Sequence, residues 1–476
     1  MLQVKNSSIY FTTSIITAFL SFITLPIYTK FLNPTDYGII TLFLLFANVS
    51  SGFLSIGLHK ATFRYYFKYK SDLNYFKKIN SSNIIYLLMI YLLSAIVIYF
   101  TSNLISEKMF NKIISPELIQ LSFFSGFFQY FFIYFSNLLN AEEKAIKFAF
   151  FSLLKPFLDI IITMYLIFYS SLSYLAKIYG HFFSQMITVL ILLILYSKLI
   201  EIKFYPKVFK SSLKFSLPQI PQNILGFAHQ SFDKLLLTNY STLSSLTHYS
   251  FGANFAMPIK MIMDAFSRSW NPSFLLNAEK NNGNFDDIES PFYYMISLIF
   301  FFGLALSFFS EELVILLTEE SFHFSKYIVP GYIFYYLLGS IAYLSLSQIM
   351  YAEKMSYTIP IAVVNVLSNV SLNILLIPIY GSIGAVISLF TSALVVGVTQ
   401  FYFGQKSMYL RINKIKLVTF LIIYCVFLIV LYALLLNEIS FIFKIILKLT
   451  SIFIYLYLLI ALKYLDPKIN FFQRAK

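Results

Sequence analysis

Apolar residues along this chain run in unbroken stretches of about 20, the length that crosses a hydrocarbon core of roughly 30 Å at about 1.5 Å of helical rise per residue. The stretches do not alternate apolar with polar, which predicts helices and argues against a membrane-spanning barrel. About fourteen spans can be drawn. They cover 9–32, 37–59, 81–102, 117–140, 146–170, 174–197, 212–239, 245–267, 291–310, 327–350, 357–378, 382–404, 417–436 and 442–462. The expected fold class is therefore an all-α polytopic membrane protein of about 14 transmembrane helices.

Composition agrees with the pattern. Of 476 residues, 59% are hydrophobic and 12% charged, with 55 Phe and 37 Tyr. The single cysteine, Cys425, leaves no intrachain disulfide and no cysteine-based metal cluster to be built. The start of the chain carries no cleavable-signal pattern. A net charge of +14 raises the question of nucleic acid. The basic residues, however, collect in short connections between apolar runs, at Lys60–Lys78, Lys198–Lys210 and Lys406–Lys416. That is the positive-inside distribution of a membrane protein, and it predicts both termini in the cytoplasm. No segment is long enough for a basic soluble domain, so no nucleic-acid partner is expected.

An internal repeat organises the spans. Asn140-Ala141-Glu142-Glu143-Lys144 follows the fourth span, and Tyr351-Ala352-Glu353-Lys354 follows the tenth, at an offset of about 211 residues. At nearly the same offset, Asp36-Tyr37-Gly38 heads the second span and His248-Tyr249-Ser250 the eighth. An even number of spans between copies gives them the same orientation, so two six-helix bundles are expected in pseudo-twofold relation about the membrane normal. The predicted divisions are an N-terminal bundle at 1–200, a C-terminal bundle at 201–404, and two further helices with a cytoplasmic tail at 405–476.

Several of these residues resemble a known family. Leu25-Pro26-Ile27-Tyr28-Thr29-Lys30-Phe31-Leu32-Asn33-Pro34-Thr35-Asp36-Tyr37-Gly38, the Gly57-Leu58 pair, Arg64-Tyr65-Tyr66 and Ser231-Phe232-Asp233-Lys234-Leu235-Leu236-Leu237 look like the O-antigen and polysaccharide flippases (Wzx-type). These belong to the multidrug/oligosaccharidyl-lipid/polysaccharide exporter superfamily. His248-Tyr249-Ser250 departs from the Gly-(Ile/Val)-Tyr usual there. The resemblance implies a bacterial inner-membrane protein of surface-polysaccharide, lipopolysaccharide or O-antigen biosynthesis. Its cargo would be an undecaprenyl-diphosphate-linked oligosaccharide, moved from the cytoplasmic to the outer leaflet by ion-coupled alternating access. Membrane lipids, a polysaccharide polymerase and a chain-length regulator would be its partners. Two alternatives stand beside it: a drug/cation antiporter of the same superfamily, and a membrane polysaccharide polymerase or ligase.

Charge inside an apolar run is costly and marks a cavity, a partner or a path for polar cargo. Lys155 and Asp159 lie four residues apart on one helix face, either neutralising each other or sharing a hydrophilic lumen with substrate or ion. Lys260, Asp264 and Arg268 repeat at four-residue steps and leave one surplus positive charge, for a salt-bridge ladder or for a diphosphate. Asp233 and Lys234 point about 100° apart, so each needs another partner. His229, one turn before Asp233, offers an imidazole–carboxylate pair for proton or cation coupling. Arg64 closes the second span as an anchor or as a first phosphate contact. His181, isolated among apolar neighbours, reads as structural. Pro26, Pro218 and Pro221 mark helix bends from packing or along a cavity.

The candidate cationic cavity thus comprises Arg64, Lys155, Lys234, Lys260 and Arg268, and the coupling or charge-balancing set Asp159, His229, Asp233 and Asp264. No phosphate-binding loop, zinc motif or other metal cluster occurs, so a transporter is expected rather than an enzyme, with no cofactor and no metal.

Overall fold

The computed structural model describes residues 2–170, 172–217, 220–280, 289–437 and 439–465. Side chains at 2–8, 11, 221–223, 228–230, 268–269, 271–273, 276–280 and 289 lie outside that description. Among the described residues the chain is helical, with no strand. The helices are α1 (Leu2–Phe31), α2 (Pro34–Ser55), α3 (Leu58–Lys68), α4 (Leu73–Met109), α5 (Pro116–Ala141), α6 (Ala145–Ser170), α7 (Tyr174–Tyr196) and α8 (Pro206–Ser216). They continue as α9 (Ile220–Tyr240), α10 (Leu243–Lys280), α11 (Glu289–Phe308), α12 (Ser310–Leu317), α13 (Val329–Tyr351), α14 (Thr358–Ser407), α15 (Lys414–Leu436) and α16 (Phe441–Ala461).

Sequence chemistry sets where these helices begin. Asn33 caps α2 by accepting from the Asp36 amide, Asp36 accepts back from the Asn33 amide, and Pro34 fills the first turn, where its missing N–H is no loss. Ser115 caps α5 by accepting from the Leu118 amide, with Pro116 in the first turn, and Asp72 and Asn413 cap α4 and α15.

Eleven helices among the described residues are long and apolar enough to cross a membrane. One of them contains α14, which holds two predicted spans. It turns back at Gly381, whose φ of 56° and ψ of −129° break the helical path. Beyond that corner Gly384 lies against the Leu376 carbonyl, and Asn369 reaches Ser392 at 3.4 Å across the hairpin. The seventh and eighth predicted spans correspond to α9 and α10.

Three departures from the sequence reading stand out. The predicted seventh span begins too early, because 212–216 belong to the separate helix α8. The basic connections after spans two and six are themselves helical, as α3 and α8. The connection expected at 267–290 is helical as far as Lys280. Pro218 lies outside the described residues, as does the Pro221 side chain, whereas Pro26 sits within a continuous α1.

The chain divides into two compact units, Met1–Thr247 and His248–Lys476. In the first, α2 packs on α5, with Ser122 donating to the Phe43 carbonyl, and on α4, with Tyr91 donating to the Ser50 carbonyl. A fully buried polar knot joins α3, α4 and α5: Thr62 donates to Tyr134 at 2.9 Å, Tyr134 to Asn80 at 2.7 Å, and Asn83 to Thr62 at 3.0 Å. Interhelical hydrogen bonds of this kind are what hold helices together in an apolar solvent.

In the second unit α13 packs between α11 and α14, and α15 and α16 close on α11 through Phe300, Phe420, Tyr424 and Tyr455. The residues leading out of the repeat motifs adopt one geometry in both units. Glu143 and Glu353 are left-handed, at φ 58° and 55°. Lys144 donates to the Leu139 carbonyl and Lys354 to the Ile349 carbonyl, each at 3.0 Å. The two Glu-Lys turns are helix C-caps of one kind, a left-handed residue followed by a bond back to the carbonyl five residues earlier.

Candidate functional site

The charged centre of the first unit is built on three helices. Asp159 lies midway along α6, and Lys177 and His181 lie one turn apart on the antiparallel neighbour α7. Tyr28 comes from α1. The close pairing of α6 and α7 depends on Gly180. A Cβ there would fall 2.0 Å from the Thr163 hydroxyl and 3.1 Å from the Asp159 carbonyl, distances no larger residue can occupy.

Lys177 donates to both oxygens of Asp159 at 2.9 Å, a charge-assisted bidentate contact. Its ammonium also lies 4.6 Å from the centre of the Tyr28 ring and 3.5 Å from the Tyr28 hydroxyl. Thr163 donates to the other side of Asp159 at 3.2 Å. His181 Nδ1 stands 3.7 Å from the carboxylate, while the Gln185 amide meets His181 Nε2 at 2.7 Å. With Gln185 donating to Nε2, the neutral ring carries its proton on Nδ1, toward Asp159. The side chains of Asp159, Lys177 and His181 keep 13%, 16% and 17% exposure, so the centre is shielded without being sealed.

Asp159 therefore pairs with Lys177, on a different helix, and not with Lys155, its neighbour at four-residue spacing. Lys155 sits with its ammonium 5.1 Å from the centre of the Phe132 ring and makes no ion pair among the described residues. One acid thus faces two lysines and a histidine. Sequence reasoning missed Lys177, and it read His181 as isolated. A signal was present: Lys177 and His181 in span six repeat the four-residue step of Asp159 and Thr163 in span five, so the two pairs match across a tight hairpin.

The other candidates are placed separately. Arg64 is exposed on α3, its guanidinium 4.9 Å from the centre of the Phe215 ring of α8. Asp233 on α9 is buried at 4% exposure and accepts from the Lys234 amide at 2.8 Å, while the Lys234 side chain is half-buried. His229 is helical, but its side chain lies outside the described residues. In the second unit Lys260 and Asp264 share an exposed stripe of α10 beside buried Ile259 and Met263, with Asp264 within electrostatic reach of Tyr336 and Tyr343. The Arg268 side chain, the third step of that stripe, is outside the described residues. No group of His, Cys, Asp and Glu among the described residues could hold a metal.

A second charged centre was not anticipated. Glu311 on α12 receives Lys326 at 2.8 Å, Lys444 of α16 at 2.8 Å and Lys448 of α16 at 3.3 Å. Lys448 also binds Glu312 at 2.7 Å and has no exposed surface. Burial pushes the Glu311 carboxyl up, but the hydrogen bonds from Lys326 and Lys444 and the charges of Lys326 and Lys448 outweigh it and hold the group at about 2. The signal here is two lysines one turn apart inside the last apolar span.

Comparison with known proteins places this architecture. No curated protein matches the chain in sequence. Solved structures do match in fold. The lipid II flippase MurJ, in its inward closed conformation, superposes with a TM-score of 0.70 at 16% identity, covering 96% of this chain and 99% of that one. An inward-facing multidrug resistance MATE family transporter of the MOP superfamily gives 0.63 at 15% identity, over 82% and 94%. A MOP superfamily transporter from Pyrococcus furiosus, described by the reverse polarity of its binding pocket, gives 0.54 at 15% identity, over 84% and 95%. The model of the family "Polysaccharide biosynthesis protein" matches residues 3–275, more than half of the sequence. The chain is thus a multi-pass membrane protein that shares its fold with the solved lipid II flippase and MATE structures, and it belongs to the polysaccharide biosynthesis protein family.

Proposed function

We propose that this protein is a flippase that carries polyprenyl-diphosphate-linked oligosaccharide from the cytoplasmic to the outer leaflet of a bacterial inner membrane. Both termini face the cytoplasm, and two six-helix halves alternate access, with α15 and α16 as a C-terminal addition. Family membership and the fold shared with a lipid II flippase support the class of cargo. The observation that carries the reading is the basic surplus among the spanning helices of the first unit. Asp159 is already bound by Lys177, and Lys155, within electrostatic reach of both, makes no ion pair among the described residues and lies over the Phe132 ring. An anion entering there finds cations without having to displace an acid.

The α10 stripe supplies a second basic element, because Lys260 and Arg268 flank a single Asp264. Lys234 and Arg64 complete the cationic set. Among the acids, Asp159 and Asp264 balance charge. Asp233, buried one turn after His229, is the one we assign to ion coupling. A drug or cation antiporter would require an uncompensated acid for its cargo, and Asp159, bound by Lys177, does not provide one in this arrangement.

Alanine at Lys155, Lys234 or Lys260 should make lipid-linked oligosaccharide accumulate in the inner leaflet at unchanged protein level. In proteoliposomes loaded with a short-chain polyprenyl-diphosphate sugar, each should lower transport by about tenfold or more, the loss of one charge-assisted phosphate contact. Transport unchanged in all three variants would remove the cationic-cavity reading.

A further inference from the structure

We infer that α3 and α8 form a rigid basic platform that docks on the headgroups of an anionic phospholipid bilayer surface. α3 directly follows α2, and α8 follows α7 by nine residues, so both helices stand next to membrane-spanning elements. Neither their sequences nor the turn after α3, through Lys70, contain an acid. Lys60, Arg64 and Lys68 repeat at four-residue steps along one face of α3, and all are exposed. Lys207, Lys210 and Lys214 form a matching exposed stripe on α8.

The opposite faces do not await lipid, for they are buried in the protein. Leu58, Ala61, Thr62 and Tyr65 are the buried positions of α3, and Phe209, Ser212 and Ser216 those of α8. Tyr65 donates to the Ser211 carbonyl at 3.0 Å, which ties the two helices together.

The mount beneath them is polar and buried. Asn80, Ser81 and Ser82, near the start of α4, have no exposed surface. Asn80 donates to the Leu199 carbonyl at 2.8 Å, Ser81 accepts from the Glu201 amide at 2.7 Å and Ser82 from the Tyr205 amide at 3.0 Å. The α7–α8 connection is thus held residue by residue against α4. At 37 residues α4 is about 55 Å long, well beyond a hydrocarbon core of roughly 30 Å, so one end of it stands outside the bilayer. Acids near the platform are engaged: Glu201 by Lys77 and Tyr205, Glu142 by Lys144 and Tyr196, and Asp72 as the α4 cap.

The occupant follows from charge and from the aromatic rings between the basic steps. Phe63 and Phe67 are 37% and 46% exposed on α3, next to Arg64 and Lys68. Basic side chains with phenylalanines beside them suit a headgroup layer, where ammonium and guanidinium meet phosphates and the rings enter the acyl boundary. An acidic protein would use the lysines but leave the rings unexplained. A single inorganic phosphate would engage a few of these side chains, whereas six exposed basic residues on two helices offer contacts to many headgroups. Attraction of this kind falls off within a Debye length, about 8 Å at physiological salt, so only a surface in contact with the helices benefits.

The test uses the full-length purified protein in detergent, with thermal midpoints read after adding phosphatidylglycerol–phosphatidylcholine mixed micelles or phosphatidylcholine micelles alone. The wild type should gain several degrees more from the anionic mixture, and high salt should cancel the gain. Lys207→Gln/Lys210→Gln/Lys214→Gln should lose most of it while keeping the lipid-free midpoint of the wild type. Lys60→Gln/Lys68→Gln is the second arm, serving if the triple variant unfolds, and should lose a comparable share. Phe63→Ser/Phe67→Ser should reduce the gain that survives moderate salt. An undiminished gain in both lysine variants would overturn the inference. So would inorganic phosphate reproducing the gain, which indicates a discrete phosphate site, or an acidic polypeptide reproducing it where the lipid does not.

Discussion

Among the described residues each unit carries a buried acid–base centre that joins several helices, and the two are built on different principles. In the first, Asp159, Lys177, His181 and Tyr28 join α1, α6 and α7 within spanning helices. The ions are partly exposed, and Lys155 remains outside the pairing. In the second, Glu311 and Glu312 of α12 gather Lys326, Lys444 and Lys448, and the central ammonium has no exposed surface. The second centre is closed: every carboxylate and lysine has an ionic partner, and the network bolts α16 to the unit that contains it. The first is open, with a surplus base and an imidazole at its edge. A closed network serves architecture, whereas an open one can still exchange partners with a charged ligand.

Breaking the closed centre should therefore cost the most. Glu311→Ala strands Lys326 and Lys444 and leaves Lys448 to Glu312 alone, and removal of one partner from a buried ion group costs about 3–5 kcal/mol. The thermal midpoint of the purified variant should fall further than that of any single substitution in the first unit. An equal or smaller fall would erase the distinction between the centres. The same carboxyl sets an acid limit. Its folded-state value of about 2 lies below its ordinary 4.5, so its contribution is fully present above the ordinary value and is lost as pH falls through the folded one. The wild type should lose stability between about pH 4.5 and pH 2, and Glu311→Gln should be less stable at neutral pH and flatter over that window.

In the open centre, Lys177→Ala leaves Asp159 with Thr163 and His181, so a smaller loss is expected, about 2–3 kcal/mol. Adding Asp159→Ala should recover most of it, and the double-mutant cycle then isolates the pair. If Asp159→Ala/Lys155→Ala shows the stronger coupling instead, the assignment of partners is reversed. The smallest effect belongs to the repeated turn. Glu143→Gly and Glu353→Gly relieve a left-handed backbone that costs a non-glycine residue about 1 kcal/mol, and both should raise the midpoint slightly and by similar amounts.

The helical class, most of the long apolar helices and the Glu-Lys motif after two of them were legible in the sequence, because each is a local matter of period or short motif. The partner of Asp159 was not. Helical spacing proposes Lys155, and only the register of α6 against α7, allowed by Gly180, brings Lys177 closer. α3 and α8 were read as charge-bearing loops because their basic residues were counted rather than set on a helical period. Glu311 and Lys448 lie more than a hundred residues apart, so their meeting depends on how the last helices fold back, which no spacing encodes. Lys234 lies on α9, and Lys260 and Asp264 on α10, the helices that correspond to the predicted spans holding them.

The corner at Gly381 has a practical consequence. Because one residue turns the chain there, that end of the α14 hairpin offers no loop for a protease to cut, a reporter to occupy or an epitope to replace. A count that takes this continuous helical segment for one crossing inverts the inferred side of everything that follows it. Mapping experiments on this chain should place their tags on either side of that segment and treat an even number of crossings between them as the expected answer.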